Sequence, residues 1–309
     1  MITVRVPCST SNLGPGFDSL GLALGLYLEV TLGAIPGTAD AVTRTGDVHF
    51  EALPDRDDLV LRAMRARWRS RGTADRAVAG AARSEIPTAR GLGSSAAAVV
   101  AGVMAADALD AVAHDPRAVL AFAAGLEGHP DNVAPAVLGG LCCGSQDDAG
   151  VHALRLGDLD GLRAVVASPD AVLATRASRA VLPATVPHRD AARNVARAVY
   201  LSHALAQGET AGIAWAFDDA LHQPYRAALL PGLTDALAAA REAGAVGAAL
   251  SGAGSSALAL VRTDGDPHPV VRAFQMAYAA HGVAVTVRVI DVARAGAAVS
   301  RGAHGGVTA

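Results

Sequence analysis

The sequence predicts an α+β fold. Three observations carry that expectation: strand-like and helix-like segments mix without strict alternation, the texture turns helical from residue 175, and 309 residues suffice for two domains or one large one. The expected division is an N-terminal domain over 1–160, a C-terminal domain over 161–295 and a flexible Gly- and Ala-rich tail over 296–309.

Taken in order, residues 2–7 alternate like a strand, and further strands are expected at 26–34, 41–50 and 77–83. Helices follow at 57–71, 94–110 and 115–126, the last entered through Pro116. The Gly139-Gly140 pair ends a short helix and feeds a strand around 141–145, with strands at 151–156 and 163–168 behind it. Helices are then expected at 175–182, 188–207, 210–220 and 231–243. Strands at 246–252 and 256–262, a helix at 268–281 and a strand at 283–291 complete the chain.

Composition narrows the function classes. Hydrophobic residues make up 51% but aromatics only 4%, so the core is expected to be Ala, Val and Leu in closely packed helices. A net charge of −3 with interspersed signs offers no nucleic-acid face. The run Arg62, Arg65, Arg67, Arg69 and Arg71 lacks interleaved aromatics and reads as a solvated helix face. Cys8, Cys142 and Cys143 have no metal-ligand spacing, and adjacent cysteines rarely bridge, which suits reduced thiols in the cytoplasm. The N-terminus lacks a signal-peptide core, and no apolar run approaches about 18 residues, so a soluble protein off the membrane is expected.

The chain contains no lysine; all 26 basic residues are arginine. A Walker loop, a protein-kinase site and pyridoxal chemistry each need a lysine, so all three are excluded. Residues 87–97 (PTARGLGSSAA) nevertheless open an apolar helical run with two glycines and two serines. Unpaired backbone N–H groups and the positive end of a helix dipole converge there, an arrangement suited to a polyphosphate. The same residues would also serve an ordinary serine-capped helix start.

Other segments carry chemistry. Residues 6–18 (VPCSTSNLGPGFD) run from a strand into small polar residues, with Asn12 and Asp18 six positions apart; such a pair also makes Asx-turns. Residues 127–136 (EGHPDNVAPA) pack Glu127, His129, Asp131 and Asn132 into six positions after a helix. Magnesium favours oxygen ligands alongside substrate phosphates, which suits Glu127 better than His129. Residues 175–179 (TRASR) and 218–226 (DDALHQPYR) each offer an arginine able to clamp a carboxylate. Residues 250–256 (LSGAGSS) form a glycine-rich turn between apolar strands, equally readable as a hairpin.

The segments near the N-terminus, at 87–97 and at 251–256 resemble the three motifs of the galacto-, homoserine-, mevalonate- and phosphomevalonate-kinase superfamily. Residues 6–24, 90–97, 127–136 and 219–226 resemble the homoserine kinase family in particular, and the likeness runs from residue 4 to about 290. It implies a GHMP kinase fold, with a left-handed β-α-β crossover in the N-terminal domain and a ferredoxin-like C-terminal domain. The implied activity is ATP-dependent phosphorylation of L-homoserine in threonine biosynthesis, with Mg²⁺ as cofactor and a homodimer as the family habit.

The resemblance also distributes roles. Pro87, Arg90, Gly91, Leu92, Gly93, Ser94, Ser95, Ala96 and Ala97 would wrap the ATP phosphates, with Ser95 (or Ser94) and Glu127 holding Mg²⁺. The amino-acid substrate would sit against Asn12, Asp18, His129 and Asn132. Thr175, Arg179 and Arg226 match positions near the reacting hydroxyl and the substrate carboxylate, whereas Arg176 matches none. Asp18 and Asp131 are the carboxylates placed to act as a base, yet homoserine kinases are thought to lack a dedicated one, so both rank as orienting groups. The third motif departs from the family's Gly-Pro-Thr, reading Gly254-Ser255-Ser256.

Two rival readings remain at this level. One is a different small-molecule kinase of the same fold; a mevalonate site would need no ammonium partner, whereas Asp18 supplies one. The other is a non-catalytic relative, against which the loop glycines and Glu127 all stand.

Overall fold

A computed structural model describes residues 1–301 apart from 53, 55–57, 172 and 174. Among the described residues two sheets form, one of seven strands and one of four, with helices packed between and outside them. The α+β expectation holds.

The first sheet is built on a long hairpin, β1 (Ile2–Asn12) against β2 (Gly16–Ile35), paired antiparallel from Ile2–Leu32 up to Asn12–Gly16. The sequence suggested two short strands with irregular chain between. Residues 8–12 are instead buried on both faces, so no alternation marks them, and their hydroxyls are bonded internally. β3 (Ala41–Gly46) runs parallel to β4 (Ala77–Ser84), which pairs with the far half of β2. The helices α1 (Val48–Glu51) and α2 (Leu59–Ser70) join β3 to β4, making the β-α-β unit of this sheet. The strand expected over 41–50 stops early, because the Asp47 carboxylate accepts from the N–H groups of His49 and Phe50 and starts α1.

α3 (Ser94–Leu109) is buried all round from Ala96 to Ala108, as its alanine-rich sequence requires. It packs beside α2, α4 (Pro116–Glu127) and the short α5 (Val133–Leu138). The arginine run on α2 is only partly the solvated face expected. Arg67 forks onto the buried Asp107 of α3 at 2.8 and 3.1 Å, and Arg71 reaches the same carboxylate at 2.8 Å. β5 (Leu141–Asp147) pairs with the near half of β2 and with β6 (Gly150–Gly157).

The second sheet has the order β10-β7-β9-β8, all antiparallel, formed by β7 (Leu162–Pro169), β8 (Gly247–Leu250), β9 (Ala257–Arg262) and β10 (Val285–Asp291). With α9 (Leu233–Glu242) before β8 and α10 (His268–Ala280) before β10, this is the ferredoxin-like β-α-β-β-α-β pattern. β7 alternates between two cores: Ala164 and Val166 join the main cluster, while Val165 and Ala167 face Leu233, Phe274 and Tyr278 beneath α9 and α10. The sheet is thus a shared wall between the halves.

α6 (Thr175–Ala180), α7 (His188–Gln207) and α8 (Gln223–Ala227) are inserted between β7 and α9. The helix expected at 210–220 is only a 3₁₀ turn at Ala214–Phe217, preceded by Gly212 in the left-handed region. α8 went unanticipated; the Asp219 carboxylate starts it by accepting from the N–H groups of Leu221, His222 and Gln223. The expected flexible tail is also corrected at its start. β11 (Ala298–Arg301) pairs with β1 along Ile2–Arg5, satisfying that edge, while 302–309 lie outside the described residues. No helix among the described residues is long and apolar enough to cross a membrane.

Candidate active site

A cavity of about 290 Å³ opens where the β1–β2 turn, the 87–97 loop, the end of α4, α6, α8 and the β8–β9 turn converge. Its lining includes Asn12, Asp18, Gly91, Gly93, Ser94, Ser95, Glu127, His129, Asn132, Thr175, Arg179 and Arg226. Segments up to 240 residues apart in sequence thus meet at one place.

Gly93 precedes α3 in the left-handed conformation (φ 65°) and supplies no side-chain cap. A Cβ on it would stand 2.1 Å from Ser9 Oγ. Gly91 is equally constrained: a Cβ there would stand 2.2 Å from the Ser251 carbonyl. Both are therefore glycine for conformation and for space. The first N–H groups of α3, from Ser94 onward, lack intrahelical partners at the positive end of a 16-residue helix, and Ser94 and Ser95 line the cavity. Ser95 Oγ donates to Glu127 Oε2 at 3.0 Å, so helix start and carboxylate already stand together. Burial raises the Glu127 carboxyl above its usual range, with the Ser95 hydrogen bond acting against it.

Behind Glu127, His129 Nδ1 lies 2.8 Å from Asp131 Oδ1, and that hydrogen bond holds the imidazole above its usual range. For Asp131, 3% exposed, burial raises the carboxyl, but the His129 hydrogen bond and charge outweigh it and leave the group low. Asn132 is locked by three partners: its side chain donates to Ser11 Oγ at 2.9 Å, Ser9 Oγ donates to it at 3.0 Å, and its N–H reaches Asp131 at 2.9 Å.

On the opposite wall Asp18 and Arg179 form a two-pronged ion pair at 2.8 and 3.0 Å. Asn12 braces this turn, accepting from the Asp18 N–H at 3.0 Å and donating to the Gly252 carbonyl at 2.9 Å. Arg226 is different. It is 1% exposed, yet its hydrogen bonds go to Ser178 O (3.3 Å), Gly252 O (3.1 Å) and His222 Nδ1 (3.2 Å), with no carboxylate in ion-pair range among the described residues. Burial, then the charge of Arg179, pushes its guanidinium down from its ordinary value. Asp18, Asp219 and Asp131 act on it from beyond ion-pair range, so the buried guanidinium faces the cavity without a paired carboxylate.

The β8–β9 turn ties the walls together. Ser251 Oγ lies 2.6 Å from Gly91 O and 2.8 Å from Thr10 Oγ1. The Gly252 carbonyl serves both Asn12 and Arg226, and the Ala253 carbonyl accepts from Ser178. The departing serines have structural work: Ser255 Oγ donates to Ala171 O, Ser256 Oγ bonds Ser168 Oγ, and the Ser256 N–H donates to Arg90 O.

Not every residue singled out in the sequence reaches the cavity. Leu92, Ala96 and Ala97 are core residues able to offer only backbone, and Pro87 lies outside the lining. The Arg90 side chain is 8% exposed and turned toward His49 at 3.5 Å. Conversely, Ser9, Ser11, Ser251, Phe17 and His222 went without roles, though all lie in segments already singled out. No cluster of three or more His, Cys, Asp or Glu suited to a metal occurs among the described residues, whereas the Ser95–Glu127 pair offers hard oxygen donors beside the start of α3.

Comparison with known proteins agrees with this geometry. The family model described as GHMP kinases N terminal domain matches residues 58–140, and that described as GHMP kinases C terminal matches 195–280. The homoserine kinase of Moorella thermoacetica is 40% identical over 299 residues, covering 97% of this chain and 100% of its own. That of Thermus thermophilus is 44% identical over 268 residues, covering 87% and 89%. The crystal structure of homoserine kinase from Cytophaga hutchinsonii superimposes with a TM-score of 0.85 at 27% identity, covering 97% of each chain.

Proposed function

The chain belongs to the homoserine kinases of the GHMP kinase family and phosphorylates the side-chain hydroxyl of L-homoserine with ATP; from that premise we propose which of its residues do the work. The N–H groups at the start of α3, freed by Gly91 and Gly93, bind the phosphates of ATP. Ser95 and Glu127 hold Mg²⁺, which supplies charge neutralisation of the phosphates when bound. The substrate ammonium goes to Asp18, its carboxylate to Arg226 and Arg179, and Asn12, His129 and Asn132 line its remaining surface.

Phosphoryl transfer passes through a loose transition state, so positioning and electrostatics dominate over base strength. Asp131 supports this division, because it is already committed to His129 and Asn132. Thr175, at the start of α6 on the cavity wall, orients the reacting hydroxyl. Asp18 and Arg179 neutralise each other, and a zwitterion inserted between them offers each a replacement partner of the same sign as the one displaced. The two-domain division near residue 160, a cytoplasmic location and a homodimer belong to the same proposal. Free Cys8, Cys142 and Cys143 support the location, and the family likeness supports the dimer.

One observation carries this reading: Arg226 is buried without a carboxylate in ion-pair range, at a cavity also lined by the glycine-rich start of α3. The test is a coupled ADP-release assay with Mg-ATP and L-homoserine, L-serine, L-threonine or mevalonate, in the parent and in Arg226→Ala. L-Homoserine should be preferred. The substitution should raise its KM roughly 10- to 150-fold, the worth of a hydrogen-bonded charge, with the ATP KM within about twofold. An unchanged homoserine KM would refute the clamp.

A further inference from the structure

The arginine clamp is held by a group that the reading above leaves unused. His222 is fully buried, and its ring is fixed on three sides. Nε2 is 2.8 Å from the Gly14 carbonyl in the β1–β2 turn, and Nδ1 is 3.2 Å from Arg226 Nη1 on α8. The ring also stacks on Phe17 with centroids 5.0 Å apart and planes at 23°. A guanidinium can only donate, so Nδ1 carries the lone pair and Nε2 carries the proton to Gly14. A neutral imidazole of one tautomer is therefore required, and burial, the largest influence on it, favours the neutral form against the Asp219 carboxylate 3.5 Å from Nε2. The same Phe17 ring lies beneath both arginines, 5.3 Å from the Arg226 guanidinium carbon and 5.7 Å from that of Arg179.

Arg226 has its Nε and Nη1 engaged, and Nη2 makes no hydrogen bond to the described residues. His222 and the two carbonyls hold one edge of the guanidinium and leave the other for a ligand. They also tie α8 to the turn that carries Phe17 and Asp18. We infer that His222, backed by Phe17, is a positioning residue that orients Arg226 toward the substrate carboxylate and sets its distance from the ammonium-binding Asp18. This rests on the assignment of Arg226 as carboxylate clamp. The selected ligand class is an α-amino acid whose ammonium and carboxylate fit that one spacing.

The experiment compares Arg226→Ala, His222→Phe, His222→Asn and Phe17→Leu with the parent enzyme, measuring KM for L-homoserine, KM for ATP, kcat and the urea midpoint. Phenylalanine keeps the flat ring but neither hydrogen bond. Asparagine places an acceptor near the Nδ1 position and restores the contact with Arg226. His222→Phe should raise the homoserine KM about tenfold, the scale of one hydrogen bond to a charged group, with ATP KM unchanged. His222→Asn should bring the homoserine KM back to within about threefold of the parent, even where its midpoint stays low. Phe17→Leu, which keeps the polar contacts, should give a smaller rise in the same constant and serves if His222→Phe does not fold.

Equal rises in both KM values, or His222→Asn as impaired for homoserine as His222→Phe, would reduce His222 to a structural residue and overturn the inference. An Arg226→Ala enzyme with normal homoserine KM would instead overturn the clamp assignment on which it rests.

Discussion

Gly93→Ala places one methyl group against a hydroxyl that the site uses. Its Cβ would lie 2.1 Å from Ser9 Oγ, when ordinary contacts begin near 3.4 Å, so the hydroxyl must retreat by more than an ångström. That retreat breaks the 3.0 Å bond from Ser9 Oγ to Asn132, a loss of about 0.5–1.5 kcal/mol. The left-handed backbone adds about 1–2 kcal/mol for a residue with a Cβ, partly offset by about 0.4–1 kcal/mol from a stiffer unfolded chain. The expected cost is about 2 kcal/mol, read as a lower urea midpoint, together with a raised ATP KM because α3 starts from this residue. The structure also specifies the remedy. Ser9→Ala removes the colliding oxygen and leaves only contacts at 3.1 Å, so the double variant should be about 1 kcal/mol more stable than the sum of the singles predicts. Urea unfolding of all four members of the cycle, with ATP KM for each, provides the measurement. Additivity within about 0.5 kcal/mol, or a Gly93→Ala protein indistinguishable from the parent, would refute the argument.

Glu127→Gln keeps the size of the side chain but removes its charge beside Ser95. It should lower kcat by roughly tenfold or more and raise the Mg²⁺ concentration needed for half-maximal rate; an unaltered Mg²⁺ titration would move the ligand elsewhere. Burial pushes the thiols of Cys8 and Cys142 up to about 12 from 9.0. Both are acids raised by folding, so their contribution is intact below pH 9 and declines as pH rises toward 12, each by up to about 1.4 kcal/mol per pH unit. The urea midpoint should therefore fall between pH 8 and 10, and fall less in Cys8→Ala/Cys142→Ala than in the parent; parallel declines would contradict the assignment.

Much of this was legible in the residues because the relevant signal was local. The apolar run after Gly93 announces a helix, and the two glycines with two serines mark the start that the structure sets at the cavity. The segments missed are those whose determinants are distant. β1 beyond residue 7 shows no alternation because both faces are covered, and β11 exists only because β1 has an edge to fill. Arg90 illustrates the same limit: its backbone belongs to the 87–97 loop, while its side chain turns away to His49. Ser9, Ser11 and Ser251 are common residues whose work appears only when their partners, 123, 121 and 160 positions away, are in place. His222 lies within the 218–226 segment, yet nothing local distinguishes a core histidine from one that aims an arginine.

The β8–β9 turn has a thermodynamic consequence. One six-residue segment touches Gly91 on the side proposed for the nucleotide and Asn12 and Arg226 on the side proposed for the amino acid. The turn is already hydrogen-bonded to both sides, so on the roles proposed above a shift of it by one ligand would be felt at the other, and by the same factor in both directions. Ser251, fastened to the nucleotide loop yet remote in sequence from it, is the residue through which that reciprocity would be weakened without touching either ligand.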